Sequence, residues 1–274
     1  MKKGYFYAII TAILWSFSGL STRFVTVNSF VFSGMTALVA YVLTIIILKK
    51  RTRFTMFTFM VGICQFLMMI TFVFANRLTT IGNTIVLQYS SIVFVLIFEA
   101  IDTRKRPKNY QLIVIVLAFI GMIIFFFDSF DFSSVLGNLL AIVSGLFFGF
   151  QFYLNTKEQA DPETSLNIQY LLSIICMIVY FMISKTVDIS LHDVSVLCIA
   201  GFGITFFSGF AFVSCIQLIP AFTANVICMS EIFLAPLWAM ILLGEVVSKT
   251  SFIGASLMIF ALFFNVYKEM KESM

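Results

Sequence analysis

Residues 28–48 read NSFVFSGMTALVAYVLTIIIL, a run of 21 residues without a charged side chain. At about 1.5 Å per residue, an α-helix of this length spans about 31 Å, which matches the hydrocarbon core of a bilayer. Strands that cross a membrane show alternating segments of about ten residues instead. The run therefore predicts a transmembrane helix, and the basic cluster Lys49-Lys50-Arg51 follows it.

The composition of the whole chain agrees with that of this run. Of its 274 residues, 61% are hydrophobic and 11% are charged, and the mean hydropathy is +1.07. Soluble domains are about 45–50% apolar and about 25% charged. The chain therefore has too few charges to cover a surface that faces water. This excludes a disordered protein, a secreted disulfide scaffold and a cytosolic enzyme.

Similar apolar runs occur along the whole chain and predict ten transmembrane helices. The connections between them are short, and none could form a soluble domain. The predicted helices are residues 4–22, 28–48, 54–75, 78–98, 110–127, 133–154, 166–184, 194–216, 220–243 and 251–267. We therefore predict an all-α integral membrane protein.

The basic residues of the connections predict the orientation in the membrane. Ten crossings place both termini on one side, and 13 of the 17 Lys and Arg residues fall on that side. The other four are Arg23, Arg77, Lys185 and Lys249. Because Lys and Arg resist translocation, the basic side is cytoplasmic. We predict a multi-pass protein of the inner (cytoplasmic) membrane with cytoplasmic termini. The net charge of +4 reflects the basic cytoplasmic connections, and we expect no nucleic-acid partner.

The two halves of the chain, residues 4–127 and 133–267, show a weak internal repeat. The pairs that align are Gly4 with Gly137, Ala8 with Ala141, Asn83 with Asn225 and Tyr89 with Glu231. Because each half has five predicted helices, an odd number, the second half must enter the membrane in the opposite orientation. Inverted repeats of this kind let a scaffold open alternately to each side of the membrane. The repeat predicts a transporter.

Residues 230–245 read SEIFLAPLWAMILLGE. With ten short helices in two halves, this segment resembles the drug/metabolite transporter superfamily, EamA type. In that family the fourth helix of each half contains a proline and ends in a turn like Leu243-Gly244-Glu245, and the fifth contains a glycine like Gly254. The chain departs from the pattern at Ser90 and Ile232, which stand at the usual proline positions.

The resemblance implies a secondary carrier for a small organic metabolite, such as an amino acid or a nucleotide-type compound, with export as the expected direction. Its central cavity would be lined by the third, fourth, eighth and ninth helices, with contributions from the first and sixth. The sequence contains no Walker A motif, so an ion or solute gradient would drive transport rather than ATP. The expected partners are the substrate, the lipid bilayer and a coupling proton or ion.

Glu231 is the most informative side chain, because it lies midway along the ninth predicted helix. An ionised group at this depth is costly and usually faces the bundle interior or a wet cavity. Three interpretations are open: a ligand for a cationic or amine-bearing substrate, a carrier of a coupling proton, and a structural carboxyl bonded to a neighbouring helix. We predict that Ser230 and Glu231 face the fourth helix across a shared cavity.

The fourth predicted helix carries a polar stripe that suits a cavity wall. Its residues are Thr80, Thr84, Gln88 and Ser91, which share one helix face, with Tyr89 one position around. Interhelical hydrogen bonding, worth only about 0.6 kcal/mol per contact, would use the same residues. Asn83 and Asn225 are interpreted mainly as structural links at the seam between the halves, and either could also reach the cavity and bind substrate.

Further candidates lie on other helices. They are Trp15, which could form a stacking wall or simply pack, and Gln65, Gln151 and Gln217. Gly145 and Gly149 form a small-xxx-small pattern, which predicts a close helix contact.

Catalysis has no recognisable constellation in this sequence. The only histidine is His192, so neither a metal cluster nor a hydrolytic triad is indicated, and we predict no cofactor. The five cysteines lie in apolar runs and are interpreted as packing residues. The alternatives to a transporter are a membrane enzyme acting on lipid, which would have to use the scattered acids Asp128, Asp131, Asp188 and Asp193, and an assembly factor.

Overall fold

The computed structural model describes residues 2–18, 21, 24–48, 54–79, 81–127, 134–184, 189–243 and 248–272. In this part of the chain all regular structure is helical. The α-helices are α1 Lys2–Ser16, α2 Ser29–Leu43, α3 Met56–Leu78, α4 Ile81–Gln88, α5 Ser91–Thr103, α6 Asn109–Phe125, α7 Val135–Leu154, α8 Pro162–Ser184, α9 Leu191–Ala200, α10 Phe207–Ile216, α11 Ala221–Cys228, α12 Glu231–Leu243 and α13 Lys249–Glu272. The π-helical turn Thr44–Leu48 continues α2, and the π-helical segment Gly201–Phe206 joins α9 to α10.

Seven helical stretches within the described ranges are long and apolar enough to cross a membrane. They are Ser29–Ile47, Met56–Ala75, Asn83–Thr103, Val135–Leu154, Pro162–Ser184, Leu191–Ile216 and Lys249–Glu272. Asn109–Phe125 and Ala221–Leu234 are shorter apolar helices. The prediction of an all-helical membrane protein is confirmed, while the count of ten crossings stays a prediction.

Side-chain caps explain why several helices begin where they do. The Asn28 side chain accepts a hydrogen bond from the backbone N–H of Phe30 at 3.0 Å, which caps the start of α2. Thr55 and Thr58 cap α3 reciprocally, and Ser190 and Asp193 do the same for α9. Such caps satisfy backbone donors that would otherwise be unpaired at a helix start.

Two helices that the apolar pattern predicts as continuous are interrupted. The predicted helix 78–98 breaks at Tyr89–Ser90, between α4 and α5, and the predicted helix 220–243 breaks at Met229–Ser230, between α11 and α12. The Ser90 hydroxyl donates to the Leu87 carbonyl at 2.6 Å, and the Ser230 hydroxyl donates to the Ile227 carbonyl at 2.7 Å. Serine hydroxyls that bond backbone carbonyls one turn back compete with the regular helical pattern.

The breaks correct the register of the internal repeat. Since Ser90 and Ser230 occupy the same place in the two halves, Tyr89 corresponds to Met229 and not to Glu231. By the same offset, the counterpart of Asn83 is Thr223 and not Asn225. The sequence alignment was therefore wrong by two residues here, because two apolar segments can be matched on one shared polar residue as easily as on their backbone bends.

The alignment of Gly4 with Gly137 agrees with the packing. A Cβ atom on Gly4 would lie 2.6 Å from Ile219, and one on Gly137 would lie 2.8 Å from the backbone of Leu78 and 2.9 Å from Thr79. Each glycine thus lets the first helix of one half approach the end of the third helix of the other half. Helix α7 packs on α3, and α1 packs on α10. In both cases the first helix of one half packs on the third helix of the other half, as a two-repeat architecture requires.

Polar contacts join the halves at one end of the bundle, which we call the terminal face because the first and last helices have their chain-terminal ends there. Lys108 pairs with Glu272, and Tyr110 donates to Glu269 at 2.7 Å. The Lys157 ammonium lies 2.5 Å from the Asp102 carboxylate. Each pair takes one residue from each half.

The other end, which we call the opposite face, is joined in the same way. The members of these contacts are Thr26 with Asp193, Thr79 with Asn138, and Ser251 with the Phe125 carbonyl. Their distances are 2.9, 2.8 and 3.0 Å. Contacts between the halves are therefore present at both ends of the bundle.

Candidate functional site

The two helix breaks meet at the centre of the bundle. The Tyr89 hydroxyl, at the break between α4 and α5, donates to the Glu231 carboxylate and lies 3.2 Å from the Cys228 carbonyl oxygen. Tyr89 is fully buried, while Glu231 is partly exposed. Each half thus contributes a broken helix and one polar side chain to the same contact.

Glu231 occupies the first position of α12, directly after the break. The N-terminal end of a helix carries partial positive charge and unpaired backbone N–H groups, so it stabilises a nearby carboxylate. In transporters, interrupted helices place such ends near the middle of the membrane, where they bind charged groups of substrates or coupling ions. The local backbone therefore stabilises an ionised carboxylate at this position.

A second contact between the halves lies next to this one. The Asn225 amide donates to the Ser91 hydroxyl at 3.0 Å, and the Ser91 hydroxyl lies 3.2 Å from the Asn225 side-chain oxygen. Both residues have no exposed surface. Together with the Tyr89–Glu231 contact, this pair forms a polar seam that joins α5 and the Tyr89 break to α11 and α12.

The predicted polar stripe of the fourth helix does not form a single wall. The Gln88 amide donates at 3.0 Å to Ser144 of α7, whose hydroxyl donates to the Met68 carbonyl at 2.9 Å. Ser91 contacts α11 instead. Residues on the two sides of the Tyr89–Ser90 break therefore contact different helices of the other half. Thr84 is fully buried, and Thr80 lies outside the described residues.

The side chains of Asn83 and Ser230 bond other partners than Tyr89 and Glu231. The Asn83 amide donates at 3.1 Å to Asn138 at the start of α7, which joins the halves near the opposite face. The Ser230 hydroxyl is bonded to the carbonyl of its own helix and stabilises the break. Neither side chain lines an open cavity in this conformation.

The predicted shared cavity is closed in this structure. The helices that carry Tyr89 and Glu231 face each other as expected, but Tyr89, Ser91 and Asn225 bond directly across the interface and have no exposed surface. Of the four residues in the two central polar contacts, only Glu231 is partly exposed.

An aromatic cluster flanks the polar seam. The Trp15 ring lies 5.9 Å from Phe148 and 5.6 Å from Phe212, and its N–H donates to Ser208 at 3.1 Å. Phe148 also packs edge-on against Tyr89, with the ring centroids 5.9 Å apart. Phe148 therefore connects Trp15 to Tyr89, the hydrogen-bond partner of Glu231. This position of Trp15 suits a stacking wall as well as packing.

Gln65 is the residue whose two side-chain polar atoms are both buried without a hydrogen-bond partner among the described residues. It lies in the middle of α3 and is 1% exposed, and neither its amide nitrogen nor its oxygen has a hydrogen-bond partner. A buried amide without partners is costly, and such groups are rare in native proteins.

Glu99 is a residue that the sequence analysis did not consider. It lies partly buried in α5, close to the backbone N–H of Phe222 at the start of α11. In the sequence, Glu99 could have been recognised as a charged residue inside the apolar run of residues 91–101.

The sequence analysis also did not consider Trp238. Its indole N–H donates to Ser16 at 2.8 Å, and its ring stacks on Phe17 with the ring centroids 4.9 Å apart. It connects α12, which begins with Glu231, to the end of α1. A tryptophan deep in an apolar run was the signal for it.

Comparison with known proteins identifies the family. The model of the EamA-like transporter family matches residues 2–127 and again residues 135–267. The fold is similar to that of a protein of known crystal structure, with a TM-score of 0.86, 13% sequence identity and 98% coverage of both chains. No curated protein matches the chain. The two consecutive matches confirm the resemblance to the drug/metabolite transporter superfamily, and the chain belongs to the EamA-like transporter family.

Proposed function

We propose that this protein is a secondary transporter that moves a small polar organic metabolite through the centre of the bundle, with Glu231 as its principal binding group. The observation that carries the proposal is the contact between Glu231 and Tyr89 at two helix breaks contributed by different halves. A partly exposed carboxylate at the start of a broken helix suits a cationic substrate group or a coupling proton. Export is the proposed direction.

Alternating access explains why contacts between the halves occur at both ends of the bundle. Opening to one side requires the contacts of that face to separate while those of the other face persist. The Asp102–Lys157 pair, the Lys108–Glu272 pair and the Tyr110–Glu269 contact would separate on one side. The Thr26–Asp193, Thr79–Asn138 and Ser251–Phe125 contacts would separate on the other. In the present conformation the contacts of both faces are formed.

Cross-linking tests this proposal directly. A disulfide between cysteines replacing Lys108 and Glu272, in a background without the five native cysteines, should hold the terminal face closed. We expect uptake of metabolites by proteoliposomes to fall at least about tenfold on oxidation and to recover on reduction, because separation of the halves is required. Cysteines at Thr55 and Thr58, whose hydroxyls lie 3.2 Å apart within one half, provide the matched control.

Undiminished transport by the oxidised Lys108–Glu272 pair would contradict alternating access at this face. Inhibition of the control pair to the same extent would attribute the loss to oxidation itself.

We further propose ten crossings, inverted halves and cytoplasmic termini in the inner membrane. Support comes from the contacts, which alternate between the two faces along the chain as ten crossings require. Reporter fusions at Lys108 should read cytoplasmic, because basic residues resist translocation, and a fusion at Asp131 should read external. A cytoplasmic reading at Asp131 would contradict both the topology and the inversion of the repeat.

A further inference from the structure

A short basic segment forms the connection between α5 and α6 on the terminal face, where residues 104–108 read RKRPK. Helix α5 ends directly before Arg104, which takes a left-handed conformation with a φ of 54°, and α6 begins at Asn109. Arg104, Lys105 and Arg106 are all exposed. Since the helices on both sides are apolar, the segment lies where the apolar part of the bundle ends.

The end of α13 brings further basic residues to the same place. Helix α13 runs antiparallel to α6, because Glu272 in its last turn pairs with Lys108 and its first turn contacts the last turn of α6. The last two turns of α13, which carry Lys268 and Lys271, therefore lie beside the start of α6. We call this group the basic corner, and its members are Arg104, Lys105, Arg106, Lys108, Lys268 and Lys271.

The carboxylates of this region leave the basic corner with a surplus of positive charge. Glu272, Glu269 and Asp102 each already bond a lysine or tyrosine side chain, and Glu99 is partly buried. Within the described part of the chain, the three basic side chains of residues 104–106 form no ion pair. The exposed charge of the corner therefore favours an anion.

The start of α6 acts in the same direction. The N-terminal end of a helix carries partial positive charge and unpaired backbone N–H groups, which favour a nearby phosphate. The first turn of α6 contains no acidic residue that would neutralise this charge. The backbone and the side chains of the corner therefore favour the same kind of ligand.

An exposed apolar surface begins next to the basic corner. On α6 it consists of Leu112, Ile113 and Val116, and on α13 it includes Phe263 and Tyr267. At about 1.5 Å per residue, the surface starts about 6 Å along the axis from the N-cap of α6. In a membrane it faces acyl chains, so one ligand that carries both an anionic group and hydrocarbon chains can contact the corner and the surface together.

We propose that the basic corner binds the phosphodiester group of an anionic phospholipid, whose acyl chains lie on the exposed apolar surface of α6 and α13. Arginine matches phosphate oxygens with paired donors, and lysine adds point charges. Clusters of about four to eight basic residues next to a transmembrane helix attract anionic head groups. A zwitterionic lipid offers the same phosphate with a compensating cation, so the corner discriminates against it. This site goes beyond the proposed transport site and does not depend on Glu231.

Native mass spectrometry of the full-length protein in a neutral detergent tests the site by counting bound lipid. The probes are dioleoylphosphatidylglycerol and dioleoylphosphatidylcholine, which have the same acyl chains, and we expect the wild type to bind the first at least about tenfold more tightly. Each basic residue near a lipid surface contributes about fivefold. The triple variant Arg104→Gln, Lys105→Gln and Arg106→Gln should therefore lose at least about tenfold in phosphatidylglycerol affinity and keep its affinity for phosphatidylcholine.

A matched pair of single variants separates the position of a charge from its presence. Lys105→Gln alone should weaken phosphatidylglycerol binding about fivefold. Lys249→Gln makes the same change at the other end of α13, near the opposite face, and should leave binding unchanged. Because residues 104–106 are exposed and lie outside the helices, the triple variant should keep the wild-type melting temperature. Lys105→Gln tests the site by itself if the triple variant does not fold.

Each other outcome overturns the proposal. Unchanged phosphatidylglycerol binding by the triple variant would exclude the basic corner, and an equal loss in Lys249→Gln would attribute binding to the net charge of the protein. Equal losses for both lipids would exclude recognition of the head-group charge. Competition by glycerol 3-phosphate at the same concentration as the lipid would contradict a role for the apolar surface. A dimer that the triple variant no longer forms would assign the corner to a second copy of the chain.

Discussion

Replacing Glu231 with glutamine should reduce transport by about 10- to 100-fold while leaving the protein folded. Gln keeps the size of the side chain and an oxygen that accepts the Tyr89 hydrogen bond, but it removes the charge. A charged hydrogen bond to a substrate is worth about 1.5–3 kcal/mol, which corresponds to this loss. The measurement is uptake by proteoliposomes with and without an imposed pH gradient, together with the melting temperature.

A matched control separates the role of Glu231 from a general effect of charge. Glu163→Gln makes the same chemical change at the start of α8, near the terminal face, and should transport at the wild-type rate. Wild-type transport and an unchanged response to the gradient in Glu231→Gln would contradict a functional carboxyl. In that case Glu231 would be a structural partner of Tyr89.

Gln65→Leu should make the protein more stable and less active at once. Leucine has a similar size and removes two polar groups that have no partner in a site that is 1% exposed. Unsatisfied buried groups cost about 1–3 kcal/mol each, so the melting temperature should rise by at least about 4 °C. We propose that these two groups bind the polar substrate when the bundle opens, so transport should fall about tenfold.

Gln159→Leu is the control for this change, because Gln159 is exposed in a connection and its replacement should alter neither quantity. A lower melting temperature for Gln65→Leu would mean that the amide is bonded in the native protein, for example through water. Higher stability with full transport would exclude Gln65 from the substrate path.

Local properties of the chain predicted the membrane fold correctly. The run at residues 28–48 forms α2 and its π-helical continuation, and Asn28 caps it at the predicted start. The close contact predicted for Gly145 and Gly149 is present, since a Cβ atom on Gly145 would lie 2.5 Å from the Ser90 hydroxyl. The length of an apolar run and the cap at its start are properties of residues that are neighbours in sequence. They can therefore be predicted from the sequence alone.

The helix breaks were not predictable in the same way. Serine in the middle of an apolar run is compatible with a straight helix as well as with a bend. At Ser90 the bend is accommodated because Gly145 of the other half leaves room for the Ser90 hydroxyl and the Gln88 carbonyl. That space is created only when the two halves pack, and the register of the repeat depends on it.

The sequence by itself determined that this chain is a helical membrane protein of two related halves, and that Glu231 lies where a charge is expensive. The reason is that the bilayer acts on each segment separately, through its length and polarity. The tertiary structure decided the partner of each polar group: Tyr89 for Glu231, which is 142 residues away, Ser144 for Gln88, and none among the described residues for Gln65. Those partners depend on how bent helices from different halves pack, which no single segment specifies.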